Sequence, residues 1–216
     1  MITGTRLAEF IYASVAIILA PGPSVMFTIA RAVAWGRATA ILTVLGNTIG
    51  MFLLSLMIAF GLGPLLQRSE ALLFSVQLLG GLYLIYLGID ALKHRQLHAS
   101  DMVEVKEEAP RKIELVRQGF MVGVLNPKAL VFFSAIFPQF VDTSLGSITR
   151  QMVIFGIIFC TLGFFLDGMW GFVVGGSRDW FANSRKRLIG LRTMGGAVMV
   201  ILGVLVVIPL VLKIGN

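Results

Sequence analysis

Charge is scarce in this sequence. Only 13% of the 216 residues are Asp, Glu, Lys or Arg, whereas 57% are apolar. A water-soluble domain carries about 25% charged residues, so that class is excluded. Cysteine occurs once, as Cys160, and a single thiol makes no intrachain disulfide, no redox pair and no cysteine-rich zinc site. Histidine occurs twice, as His94 and His98. Their i, i+4 spacing is one a metal could use, but both lie in a polar stretch with no cysteine nearby, and no metal site is expected there. The absence of a Ser/His/Asp set, a phosphate loop and paired cysteines argues against hydrolysis, ATP-driven transport and thiol redox work. Neither an enzyme nor a bound cofactor is expected.

Long apolar runs are what the chain has in their place. A hydrocarbon core of about 30 Å needs roughly 20 residues of helix. Stretches of that kind recur six times, near Ala8 to Ala30, Ala38 to Leu62, Ala71 to Leu92, Gln118 to Phe140, Gln151 to Gly175 and Leu188 to Leu212. Glu9 and the number of later spans favour reading the first as a retained helix over a cleaved signal. The sequence thus predicts an all-α membrane protein forming one transmembrane domain over 1–216, with lipid bilayer as its surroundings. Cys160, in the fifth span, reads as a small core residue.

The formal charge of +7 follows topology and gives no reason to expect nucleic acid. Arg31 and Arg37 follow the first span, six basic residues lie between Lys93 and Arg117, and five between Arg178 and Arg192. The other side has Arg6, Arg68, Arg150 and Lys213. This asymmetry predicts odd-numbered loops in the cytoplasm and both termini outside. The 93–117 segment reads as a linker, with a short amphipathic helix near Ile113 to Val116 leading into the fourth span.

Either side of that linker, residues 1–92 and 118–216 resemble each other weakly. LGGLYLIYLG (Leu79 to Gly88) matches MGGAVMVILG (Met194 to Gly203), and Gly46 with Gly61 matches Gly156 with Gly171. APGPSVMFTIA in the first span and LNPKALVFFSA in the fourth each place a proline inside an apolar run. Three spans per half is an odd number, so a duplicated unit enters the membrane from opposite sides. The expected architecture is two inverted three-helix repeats with broken first and fourth helices, an arrangement of many secondary transporters.

Pro21, Gly22 and Pro23 should break the first helix, since each proline removes a donor and clashes with a preceding carbonyl. Irregular backbone survives at membrane depth only inside protein or beside a wet cavity. The fourth span adds Asn126, Pro127 and Lys128, and a cation at that depth is a functional hypothesis by default, with snorkelling to the interface as the plain alternative. The helices that restart at Ser24 and Lys128 present free amides and positive dipole ends suited to a carboxylate. Asp167 could pair with Lys128, carry a proton or meet a substrate ammonium. Asn47 could line a cavity or bond a neighbouring helix; Tyr83 and Tyr86 could offer hydroxyls; Asp90 reads as an interfacial cap.

The block RQGFMVGVLNPKALVFFSAIFPQFV from Arg117 to Val141, with PGP at Pro21 to Pro23, the glycines Gly36, Gly46 and Gly50 and YLIYLG at Tyr83 to Gly88, resembles the LysE/RhtB superfamily of bacterial amino-acid exporters. That resemblance implies six helices in a bacterial inner membrane and efflux of a small amino-acid-like substrate by proton antiport. Metal-ion efflux on a related fold is the alternative reading. A homodimer is compatible with it.

Overall fold

The computed structural model describes residues 4–66, 70–94, 109–177 and 184–214. Eight helices lie among them: α1 Gly4–Leu19, α2 Pro23–Trp35, α3 Arg37–Leu66, α4 Glu70–Lys93, α5 Lys112–Val124, α6 Pro127–Phe140, α7 Ile148–Gly176 and α8 Arg185–Ile214. Helices α1 and α2 form one span bent by 49°, and α5 and α6 another bent by 41°. Both bends fall where proline and glycine were expected to interrupt a helix. By length and composition three helices could cross a membrane, or five spans if each bent pair counts as one. The stretch expected at Ala71 to Leu92 is α4. Helix α5 starts at Lys112 and absorbs the short helix expected near Ile113 to Val116; most of the 93–117 linker, with His98, lies outside the described residues.

Each break has a local cause. Pro21 offers no N–H to the carbonyl of Ile17, so α1 stops, and Pro23 restarts the chain at the first helical position, where a missing donor costs nothing. Asn126 caps α6 with its side-chain oxygen, which accepts from the amides of Lys128 and Ala129 at 3.0 and 3.3 Å. Between α2 and α3 the chain reverses at Gly36 alone, whose φ of +86° is a conformation glycine adopts without a Cβ penalty. Within α6, residues Phe132 to Ile136 form a π turn, and the Phe137 amide reaches back to the Phe132 carbonyl. Pro138 explains it, because its ring would clash with the Ser134 carbonyl of a regular helix.

Lipid gives helices no hydrophobic reason to associate, so close backbone approach must supply the packing. Helix α3 lies along α5 and α7, and α4 along α8. A Cβ at Gly46 or Gly50 would run into the carbonyls of Val116 or Phe120, and one at Gly119 or Gly123 into those of Thr43 or Asn47. The LGGLYLIYLG and MGGAVMVILG motifs face each other: Gly81 abuts Gly203, and Gly88 abuts Gly196. The other glycine match has no such counterpart in packing, since Gly61 meets nothing while Gly156 meets Ser55 and Gly171 meets Ala40. The core on one side of the breaks is aromatic. Phe10, Phe132, Phe133, Phe137, Phe155 and Phe159 are all buried, with Phe10 and Phe155 ring centres 4.4 Å apart.

Candidate functional site

The two breaks meet. Asn126 at the start of α6 donates its Nδ2 hydrogen to Ser24 Oγ in the first turn of α2 at 2.7 Å. Two helix N-termini with their positive dipole ends are thereby joined inside the protein. Lys128, in the first turn of α6, turns toward the other broken span and donates from Nζ to the carbonyls of Ile17 and Ala20, both at 2.9 Å. The first of these is the acceptor that Pro21 left without a donor. Gly22 makes room for this crossing, because a Cβ there would sit 3.1 Å from Lys128 Nζ. At 6% exposure Lys128 is inside the protein and has not snorkelled to an interface.

Ser24, Asn126, Lys128 and Asp167 line one cavity of about 20 Å³ together with Ile17, Met51, Phe132 and Phe159. That is room for about one water molecule, so the chain is closed around the site. Asp167 comes from the middle of α7 and is 3% exposed. No ion pair within 4 Å joins it to Lys128 among the described residues, which sets aside the direct pair, one of the three alternatives for Asp167. Asp167 Oδ2 instead accepts a long 3.4 Å hydrogen bond from Asn47 Nδ2. The remaining oxygens of that couple, Asp167 Oδ1 and Asn47 Oδ1, are buried with no hydrogen-bond partner among the described residues. Leaving a buried acceptor unpaired costs about 1–3 kcal/mol, so a donor placed here would be favoured.

Of the two alternatives for Asn47, the structure has it bonding a neighbouring helix, through Asp167, and not among the residues that line the cavity. Tyr83 and Tyr86 do neither: they stack on each other on the outer face of α4, 42% and 60% exposed. Asp90 bonds the His94 ring at 2.8 Å near the end of α4, away from the breaks. Sequence reading missed Met51 as a lining residue and Thr28 and Thr43 as buried polar neighbours. A signal for part of this was present, since Thr39, Thr43 and Asn47 fall at i, i+4, i+8 on one face of α3. Also missed was the tie between α2 and α5, in which Arg31, sandwiched by Phe27 and Trp35, donates to Gln118 at 2.6 Å.

A model of the LysE type translocator family matches residues 15–209. Among curated proteins, the chain is 31% identical over 154 residues to the threonine efflux protein of Escherichia coli, covering 68% of this chain and 72% of that one. It is 31% identical over 140 residues to an uncharacterised membrane protein of Pseudomonas aeruginosa, covering 64% of this chain and 65% of that relative. An uncharacterised membrane protein of Bacillus subtilis is 23% identical over 88% of this chain and 92% of its own length. No solved structure gives a significant match.

Proposed function

The chain belongs to the LysE type translocator family, and on that premise we propose that it is a secondary active exporter of an amino acid or close derivative, working by proton antiport in a bacterial inner membrane. It is a multi-pass membrane transporter and not an enzyme. In this reading α4 and the two bent pairs complete six spans, arranged as two inverted repeats whose broken helices form the substrate site.

The observation that carries it is the Ser24–Asn126 hydrogen bond, which brings two helix N-termini together beside a cavity lined by both Lys128 and Asp167. A substrate carboxylate would take the third N–H of Lys128 and the free amides of Ser24 and Val25 in the first turn of α2. Its ammonium would give hydrogens to Asp167 Oδ1 and Asn47 Oδ1, the two acceptors without a partner. Exchange follows from charge. An ionised Asp167 holds the ammonium; a proton arriving from outside neutralises that carboxylate, weakens the hold and releases the substrate there. Loss of the proton to the cytoplasm restores the site. Pro21, Gly22, Pro23 and Pro127 would act through shape, by keeping the helices broken where the carboxylate sits.

Proteoliposomes loaded with a panel of labelled amino acids, with and without a pH gradient, test this. Counterflow enhanced by an outward-acidic gradient is expected, and its absence for every amino acid would sink the reading. For metal-ion efflux no observation speaks: among the described residues no three His, Cys, Asp or Glu side chains converge.

A further inference from the structure

The cavity between the breaks has few polar groups, and several of their valences are spoken for. Asn126 spends one of its two amide hydrogens on Ser24 and its oxygen on two backbone amides. Two of the three hydrogens of Lys128 are on the carbonyls of Ile17 and Ala20. What is left is the third ammonium hydrogen, the second amide hydrogen of Asn126, the Ser24 hydroxyl hydrogen and the free oxygen of Asp167, with that of its partner Asn47 behind it. Those are donors for a carboxylate and acceptors for an ammonium. The rest of the lining is hydrocarbon, thioether and aromatic ring: Ile17, Met51, Phe132 and Phe159.

We infer that this protein selects amino acids with apolar side chains, and that Met51 is the residue that sets the selection. The inference rests on the amino-acid reading given under Proposed function. Met51 is suited to the task by how it is held. Its backbone is fixed where α3 meets α5, the Met51 amide lying 3.0 Å from the place a Cβ on Gly123 would occupy. Its tip reaches α7 at Gly163, where a Cβ would meet only the Met51 methyl within 4 Å, at 3.6 Å. An unbranched thioether with three rotatable bonds adapts to the ligand beside it, and opening a site of about 20 Å³ to admit a side chain requires such a movable wall. The rings of Phe132 and Phe159, whose centres are 4.9 Å apart, form the aromatic part of the wall.

The test is competitive counterflow in proteoliposomes, comparing leucine, valine and methionine with threonine, homoserine and serine. For the unaltered protein the apolar set is expected to win by ~10-fold or more, the discrimination an apolar pocket gives. Met51→Gln, of similar length but able to hydrogen-bond, should shift the threonine-to-leucine ratio toward threonine by about 10-fold. Met51→Ala, which keeps the pocket apolar and enlarges it, should keep the preference for apolar side chains and extend it to phenylalanine and tryptophan. Met51→Leu guards against misfolding by retaining the original ranking. Threonine transported as well as leucine by the unaltered protein would overturn the inference, as would a ranking indifferent to all three substitutions. In both cases amino-acid counterflow remains; counterflow of no amino acid removes the transport reading and this inference with it.

Discussion

Lys128 sits where an ammonium is expensive, and its contacts show how the expense is met. Two carbonyls at the end of α1, one of them stripped of its partner by Pro21, take its hydrogens. The lysine is therefore part of the broken helix as well as of the cavity. Lys128→Met should abolish export, by more than ~100-fold in initial rate if the carboxylate anchor is lost with it, while the purified protein still folds; full transport activity would reduce the lysine to a structural cap. Asp167→Asn keeps the shape and a partner for Asn47 but cannot cycle a proton. Substrate counterflow should persist in it only at higher substrate concentration, since a neutral side chain holds the ammonium more weakly, while stimulation by a pH gradient disappears; a variant still driven by the gradient would move the coupling elsewhere. Asn126, Pro127 and the PGP break were legible in the sequence because helix capping and proline sterics are local. Where the head of Lys128 goes was not legible, since its acceptors lie 111 and 108 residues away along the chain.

Helix pairing was legible only in part. The GG and G motifs of α4 and α8 stood out as a sign of duplication, yet their physical work is to touch each other, Gly81 on Gly203 and Gly88 on Gly196. The pairing of α3 with α5 through Gly46, Gly50, Gly119 and Gly123 was harder to see, because nothing in a glycine says which backbone it will meet. Gly119→Leu places a side chain where the Thr43 carbonyl lies and should cost ~3 kcal/mol or more, the upper range for overpacking. Gly168→Ala, in α7 with nothing within 4 Å of the new Cβ, should leave stability unchanged or raise it by up to about 1 kcal/mol. Thermal midpoints in detergent separate the two, and equal midpoints would mean the α3–α5 contact is not tight.

Taken as a whole, the molecule ties its two broken spans together at both ends. At one end Arg31 of α2 holds Gln118 of α5, which also bonds Glu114. At the other Arg6 of α1 donates to the Val141 carbonyl and pairs with Asp142 at 3.3 Å. The hydroxyl and amide of Ser144, with Arg6 adding to them, hold the Asp142 carboxyl below its ordinary range. A depressed pKa means the tie is present above the ordinary carboxylate range and is lost as pH falls through the depressed value. The charge asymmetry predicts that the Arg6 end lies outside. Cys160, the one cysteine and 5% exposed, leaves a quiet background for labelling. Gly4→Cys should react with an impermeant maleimide on intact cells and Arg111→Cys only after permeabilisation; the reverse pattern would invert the topology. Ser24→Cys should become reachable from outside when combined with Arg6→Ala, and from the cytoplasm when combined with Arg31→Ala.

The π turn of α6 has a meaning in chain length. A stretch that closes with an i to i+5 hydrogen bond holds one residue more than an α-helix would use. Removing that surplus, for instance by deleting Ser134, leaves the stretch to close as a regular α-helix, which drives the Pro138 ring against the carbonyl four residues before it. A kink that relieves the clash takes either Phe137 out of the aromatic cluster or Lys128 away from the carbonyls of α1. The count of residues between Lys128 and Phe137 is thus as much a part of the site as their identities, and a single-residue deletion there should silence transport that many substitutions would leave intact.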